Sequence, residues 1–181
     1  MLEELPENAL TEKIIGCAIE VHRTYGGPGL KEFAYEAALE WELRQAGLTV
    51  ERQRPVPVVY KGHVFCADDE NPKRFDLKVT DGDLTVIVEV KAVQAKAKDE
   101  AFRAQCRTYL KMLGLRVGLV INFGRPTVRE GIDRVVSETK EEYRQRLARE
   151  CPAVLRNVIR EEDCPDEASI PAIAKEYGAG S

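Results

Sequence analysis

The sequence predicts an α/β domain in which a mixed central β-sheet of five or six strands is flanked by helices. Apolar side chains recur at the helical period through residues 12–46, and from Thr49 the period changes to two, as in strands. Residues 85–91 are mostly β-branched and apolar on both faces, which indicates a central strand covered on two sides. A helical segment separates this strand from another at residues 117–121, so we expect a right-handed parallel crossover.

Two helices are predicted before the sheet. The first spans residues 12–24 with Thr11 as its N-cap, and the second spans residues 30–46 after a break rich in glycine. Glu32 and Glu36 are four residues apart on one face of the second helix. Because a core-facing stripe rarely contains two glutamates, the residues alone favour solvent exposure for both.

Turn signals divide the rest of the chain into strands and one helix. Lys61-Gly62 is expected to join two antiparallel strands, and Asp81-Gly82-Asp83 is expected to turn the chain into the central strand. The predicted elements are, in order, strands at residues 49–52, 56–60 and 63–66, a short strand carrying Asp76, the strand at 85–91, a helix at 99–113, the strand at 117–121 and a last strand containing Ile132, Val135 and Val136.

Length and composition fit a soluble globular protein. The 181 residues are 44% hydrophobic and 32% charged, and no apolar run approaches the roughly 18 residues of a membrane span. The N-terminus is acidic and lacks a signal-peptide pattern, and the five scattered cysteines fit reduced thiols better than disulfides or a zinc site. We therefore expect a cytoplasmic protein that makes no membrane contact.

The predicted main domain spans residues 1–136, and residues 137–181 form an extension. The extension is rich in charge and also holds apolar residues that could pack on the domain, so we expect it to be helical and partly flexible. We interpret this C-terminal extension as a helical lid or as a segment that binds a partner. The net charge of −4 argues mildly against a dedicated nucleic-acid coat protein, but it leaves room for a local basic groove.

Charged side chains stand at the end of the predicted central strand. Glu89 and Lys91 share a face with Ile87, while the valines point the other way. One interpretation is a partly buried Glu–Lys ion pair, since an unpaired charge is unfavourable there. The neighbouring strand carries Asp76, however, which brings a second carboxylate to the same edge. Two carboxylates suit Mg²⁺ or Mn²⁺, and a lysine can orient a water or stabilise transition-state charge, so this group suits phosphodiester hydrolysis.

The helix after the central strand carries two further signals. Gln105 and Tyr109 are one turn apart on one side, and Arg103, Arg107 and Lys111 form a basic stripe beside them. A basic stripe that flanks a metal site would hold a nucleic-acid backbone with an affinity that falls as salt rises. A solvated helix face is the alternative interpretation.

Asp76 followed by Glu89-x-Lys91 resembles the motif of the PD-(D/E)XK nuclease superfamily. Phe75 stands where many members have a proline before the aspartate. The resemblance implies a restriction-endonuclease-like core with Asp76 and Glu89 as metal ligands, Lys91 as the catalytic lysine and Mg²⁺ or Mn²⁺ as the cofactor.

Two more stretches resemble branches of this superfamily. Gln105-x-x-x-Tyr109 resembles the RecB-type helix motif, which implies that both side chains support catalysis. Gly29-Leu-Lys-Glu32-Phe-Ala-Tyr35 resembles the signature of the bacterial GxxExxY protein family, and similar stretches follow in the expected order over about residues 10–136. This resemblance implies Glu32 as a third metal-binding acid, and it leaves Tyr35 either as a nucleic-acid contact or as a packing residue.

The predicted function is therefore that of a Mg²⁺-dependent nuclease acting on phosphodiester bonds, in DNA rather than RNA. The alternative is a catalytically silent nuclease-fold module that binds nucleic acid or regulates a partner, as a homodimer or within a larger complex. A weakly acidic body and the lack of a helicase or DNA-reading pattern in the chain favour this alternative. Binding of a divalent metal discriminates between the two.

Overall fold

The computed structural model describes residues 5–56, 58–60, 63–65, 73–95, 99–138 and 142. The predicted turn at Lys61-Gly62 and nearly all of the predicted extension lie outside these residues, so both stay predictions. Within the described ranges, no helix has the length and apolar character needed to cross a bilayer.

Two helices cover one face of the sheet. α1 spans Asn8–Thr24 and α2 spans Glu32–Gln45, and their buried side chains share one core cluster with the strands. α1 begins a turn earlier than predicted because Leu10 is itself a core residue. The Thr11 hydroxyl donates to the Asn8 carbonyl at 2.8 Å from inside the first turn, so the prediction of Thr11 as the N-cap is wrong.

Five of the strands in the described residues form one mixed sheet. In chain order the strands are β1 Thr49–Arg52, β2 Val58–Tyr60, β3 His63–Phe65, β4 Leu77–Asp81, β5 Leu84–Lys91, β6 Val117–Asn122 and β7 Ile132–Val136. The sheet order is β1-β4-β5-β6-β7; β5 and β6 are parallel, and the other neighbours are antiparallel. The predicted mixed sheet and the parallel β5–β6 connection are confirmed, while the hand of the crossover stays a prediction.

The early strands divide between two sheets. β2 and β3 pair with each other in a two-stranded sheet, whereas β1 pairs with β4. The segment that follows β1 and the segment that precedes β4 lie side by side, with a backbone bridge between Pro55 and Arg74. Proline has no N–H to donate, so a regular ladder does not continue there. We call residues 53–56 and 73–76 the arm; it ends at Asp76.

The opposite face of the sheet is covered by α3, which spans Asp99–Leu113 and contacts β5, β6 and β7. Gly118 of β6 lies beneath α3, where a Cβ atom would be 2.5 Å from the Cys106 Sγ. The missing side chain therefore lets α3 approach the sheet closely. Side chains of β5 alternate as predicted, with the valines on the α1–α2 side and Ile87 on the α3 side.

Candidate active site

Four of the predicted site residues meet at the carboxyl end of β5. Lys91 is the last residue of β5, and its ammonium donates to Asp76 Oδ2 at 3.3 Å and to Glu89 Oε2 at 3.4 Å. Glu32, the first residue of α2, places its Oε1 3.6 Å from the same nitrogen. The Val90 carbonyl accepts another bond from Lys91 at 2.9 Å. The structure therefore brings together the three acids and the lysine that the sequence singled out.

Asp76 lies at a bend immediately before β4 rather than within the strand. Its Oδ2 accepts the Val90 N–H at 2.8 Å, and its Oδ1 accepts the Gln53 amide at 3.1 Å. Phe75, at the position of the usual proline, is 3% exposed and packs in the core on the α3 side. Burial of Phe75 and two directional hydrogen bonds therefore hold the carboxylate in place without a proline.

Glu89 is the most deeply buried acid of the site. Its side chain has 0% exposure, and its Oε1 has no hydrogen-bond partner among the described residues. Burial, reinforced by the charge of Asp76, raises the pKa of Glu89 to about 8. An ionised carboxylate at this position therefore needs a cation beside it.

Lys91 is held in its charged form by the surrounding acids. Burial alone would lower the pKa of Lys91, but the charges of Asp76, Glu89 and Glu32 outweigh burial and raise it. At neutral pH the side chain is therefore an ammonium that donates hydrogen bonds. Partial burial also raises the pKa of Glu32, whose side chain is 43% exposed and lies at the rim of the site.

Asp76 and Glu89 fit a hard divalent cation. Within the described ranges, no group of three or more His, Cys, Asp or Glu side chains has the arrangement of a complete metal site. Mg²⁺, however, commonly takes only one or two carboxylates and keeps several waters. Both acids offer oxygen ligands, and Glu89 Oε1 is buried without a donor. The two residues could therefore hold Mg²⁺ or Mn²⁺, with Glu32 close enough to Lys91 to reach the same region.

The predicted helix motif lies on the side of α3 that faces the site. Gln105 Nε2 donates to Tyr109 Oη at 3.0 Å. Burial raises the pKa of Tyr109; the bond from Gln105 opposes this, and the charges of the site acids add to it. The ring of Phe102 lies 5.7 Å from Lys91 Nζ. Tyr109 therefore lies within the electrostatic reach of the site acids, and Gln105 is joined to it by this hydrogen bond.

The predicted basic stripe on α3 is partly neutralised by acids. Arg103 lies 2.9 Å from Glu100 and 3.1 Å from Asp133, and Arg107 Nη1 lies 3.9 Å from Glu100 Oε1. Lys111 is exposed. Because such surface ion pairs contribute little stability, a phosphate can compete for the arginines. The stripe stays a candidate phosphate contact, with a weaker local positive charge than the sequence indicated.

Tyr35 packs in the core and is not exposed for a nucleic-acid contact. Its side chain has 0% exposure, and its ring stacks on Phe123 with centroids 4.7 Å apart. The hydroxyl donates to the Gly27 carbonyl at 2.9 Å and accepts the Leu30 N–H at 3.2 Å. Of the two roles that the sequence left open, the structure favours packing: Tyr35 anchors the loop that leads into α2 and Glu32.

Glu36 is 4% exposed, so the expectation that it faces solvent is wrong. Its carboxylate accepts the Arg52 Nε–H at 2.6 Å and the Gln53 amide at 2.9 Å. Glu36 shares a helix face with Tyr35 and Leu39, both core residues, and this spacing is the signal that could have predicted its burial. Gln53 lies in a short polar stretch with no periodicity, and no sequence signal pointed to it.

A mixed α/β sheet flanked by helices, with two acids and a lysine at the end of its central strand, defines a restriction-endonuclease-like fold. A family model of the PD-(D/E)XK nuclease superfamily matches residues 8–135, from the start of α1 to β7. The chain therefore belongs to the PD-(D/E)XK nuclease superfamily. The searches of curated proteins and of solved structures gave no match.

Proposed function

We propose that this protein is a nuclease that uses Mg²⁺ or Mn²⁺ to hydrolyse phosphodiester bonds, with DNA as the preferred substrate. The observation that carries the proposal is the convergence of Asp76, Glu89 and Glu32 on the Lys91 ammonium within 3.3–3.6 Å. Membership of the PD-(D/E)XK nuclease superfamily supports the same chemistry. Within that superfamily we assign the chain to the GxxExxY group, because Glu32 of the signature reaches the site.

The proposed roles follow from the contacts. Asp76 and Glu89 hold the divalent cation, which when bound supplies positive charge to the scissile phosphate and activates water. Lys91, as an ammonium, donates to a phosphate oxygen and stabilises the charge that builds up as water oxygen attacks phosphorus. The attacking water releases its proton to solvent, the phosphorus–oxygen bond opposite it breaks, and the leaving oxygen takes a proton from solvent. Gln105 and Tyr109 orient the substrate from the α3 side.

Two basic surfaces are available for the phosphate backbone. One is the stripe on α3, whose arginines are already paired with acids. The other is the arm, where Arg54, Lys73 and Arg74 are exposed. The Phe75 N–H donates to the Arg54 carbonyl at 3.3 Å, so these residues stand close to Asp76 along the backbone. Within the described residues none of the three arm side chains pairs with a carboxylate, and Arg74 Nη1 donates to the Gln53 carbonyl at 2.9 Å. We therefore propose the arm as a second phosphate contact.

The proposal is tested by incubating the protein with Mn²⁺ and labelled single-stranded DNA, duplex DNA, branched DNA and RNA. Asp83→Ala is the matched control for Asp76→Ala, because Asp83 is exposed in the β4–β5 turn. We expect wild type and Asp83→Ala to cleave DNA alike, and Asp76→Ala to lose about 100-fold or more of the rate. Failure of the wild type on every substrate, or equal cleavage by Asp76→Ala, would contradict the proposal.

A binding or regulatory module without catalysis is the second candidate. Two large side chains on α2, Phe33 at 65% and Trp41 at 60% exposure, favour a contact with a partner or with a second copy of the chain. This module would have no need of a cation. Calorimetry with Mn²⁺ separates the candidates, since binding that is lost in Asp76→Ala favours the nuclease. Light scattering of Trp41→Ala tests the self-association that the second candidate allows.

A further inference from the structure

The backbone at the end of β1 has an unusual conformation. Gln53 has φ = +52° and is the one non-glycine residue with a positive φ among those described. This left-handed conformation is unfavourable by roughly 1–2 kcal/mol for a residue with a Cβ atom. Strain of this kind is often retained where it places a functional side chain, so the contacts of Gln53 are informative.

The strained conformation lets two consecutive side chains reach the same carboxylate. Successive side chains of a strand normally point to opposite faces. Here Arg52 Nε and Gln53 Nε2 both donate to Glu36 Oε1, at 2.6 and 2.9 Å. The turn at Gln53 therefore redirects its side chain towards α2, beside the arginine that neutralises Glu36.

The Gln53 amide lies between two carboxylates. Its Nε2 donates to Glu36 Oε2 at 2.9 Å and to Asp76 Oδ1 at 3.1 Å. An amide nitrogen has two hydrogens, so one is shared by the two oxygens of Glu36 and the other bonds to Asp76. The backbone N–H of Gln53 also donates to the Asp76 carbonyl at 2.9 Å. Gln53 thus contacts both the main chain and the side chain of Asp76.

Glu36 sets the direction of that amide. It is 4% exposed and does not appear among the acids that contact Lys91. Its carboxylate accepts hydrogen bonds only, so it requires the NH₂ group of Gln53, rather than the amide oxygen, to point towards the two acids. With the amide reversed, its oxygen would face Asp76 and repel it.

We propose that Gln53 is a positioning residue for the candidate metal ligand Asp76, and that buried Glu36 locks it in the donating orientation. The inference rests on the proposed function, because it concerns the cation that Asp76 and Glu89 would share. Groups that orient a metal ligand in this way commonly change metal affinity by about 10- to 100-fold when they are removed.

Gln53→Gly tests the proposal, because glycine accepts the positive φ without strain and lacks the amide. Mn²⁺ affinity is measured by calorimetry, and the melting temperature of the metal-free protein is measured in parallel. We expect affinity to fall about 10-fold or more while the melting temperature changes little, since relieved strain offsets the lost hydrogen bonds. Gln45→Gly, at the exposed end of α2, is the matched control and should bind Mn²⁺ like the wild type.

Asp76→Ala in the same titration separates the inference from the proposed function. If Asp76→Ala loses Mn²⁺ binding and Gln53→Gly keeps the wild-type affinity, the positioning role is refuted and the nuclease proposal stands. If Asp76→Ala binds like the wild type, the nuclease proposal itself fails. Should Gln53→Gly not fold, the near-isosteric Glu36→Gln takes its place. Wild-type Mn²⁺ affinity in that variant would refute the proposal that Glu36 orients the Gln53 amide.

Discussion

Replacing Glu89 with glutamine should remove a large part of the pH dependence of stability in the metal-free protein. The side chain is fully buried, and its pKa is about 8 against an ordinary value of 4.5. The folded protein therefore keeps a proton that the unfolded chain has lost, so this contribution is complete below pH 4.5 and disappears as the pH rises to about 8. Each pH unit in this window removes up to about 1.4 kcal/mol, so a rise from about pH 5.5 to about 7.5 removes about 2 to 3 kcal/mol.

The assay is urea denaturation in the presence of a chelator at those two pH values. Glu12→Gln, on the exposed side of α1, is the matched control. We expect wild type and Glu12→Gln to lose about 2 to 3 kcal/mol of unfolding free energy between the two conditions, and Glu89→Gln to lose less than about 1 kcal/mol. If the unfolding free energy of Glu89→Gln falls between the two pH values by as much as that of the wild type, the assignment of the proton to this buried carboxyl is refuted.

Three further predictions concern the lysine, the packing of α3 and the arm. Lys91→Ala should lower cleavage about 100-fold or more while Mn²⁺ affinity stays within about threefold, and equal cleavage by the two proteins would refute its role. Gly118→Ala should lower the free energy of unfolding by about 1–3 kcal/mol through its clash with Cys106, and adding Cys106→Ala should recover part of the loss; purely additive losses would contradict this. Arg54→Ala combined with Lys73→Ala should reduce the salt slope of DNA binding by about one to two, and an unchanged slope would exclude the arm as a contact.

The sheet and the meeting point of the candidate catalytic residues could be predicted because their signals are local. The β-branched residues of β5 alternate between two cores, and this alternation requires Glu89 and Lys91 to share the face of Ile87. Pairing of β4 with β5 through a short turn then brings Asp76 to the same end. Motif resemblance added Glu32, whose approach to Lys91 depends on tertiary packing.

The features that the sequence did not predict depend on contacts between segments distant in sequence. Arg103 pairs with Asp133, which lies thirty positions later in the chain, and the spacing of residues along a helix cannot predict such a pair. The same holds for Gln53, whose proposed role depends on a strained φ and on contacts with Glu36 of α2 and with Asp76 just before β4. Burial of Tyr35 could not be separated from substrate contact, because a signature motif does not distinguish packing from binding.

In the proposed site, Asp76 and Glu89 share one divalent cation beside Lys91. The most direct test is anomalous diffraction from crystals of the wild type grown with Mn²⁺. We expect a Mn²⁺ peak about 2 Å from a carboxylate oxygen of Asp76 and from one of Glu89, with Glu89 Oε1 as a ligand. A Mn²⁺ ion bound elsewhere, with these two carboxylates still bonded to Lys91 alone, would contradict it.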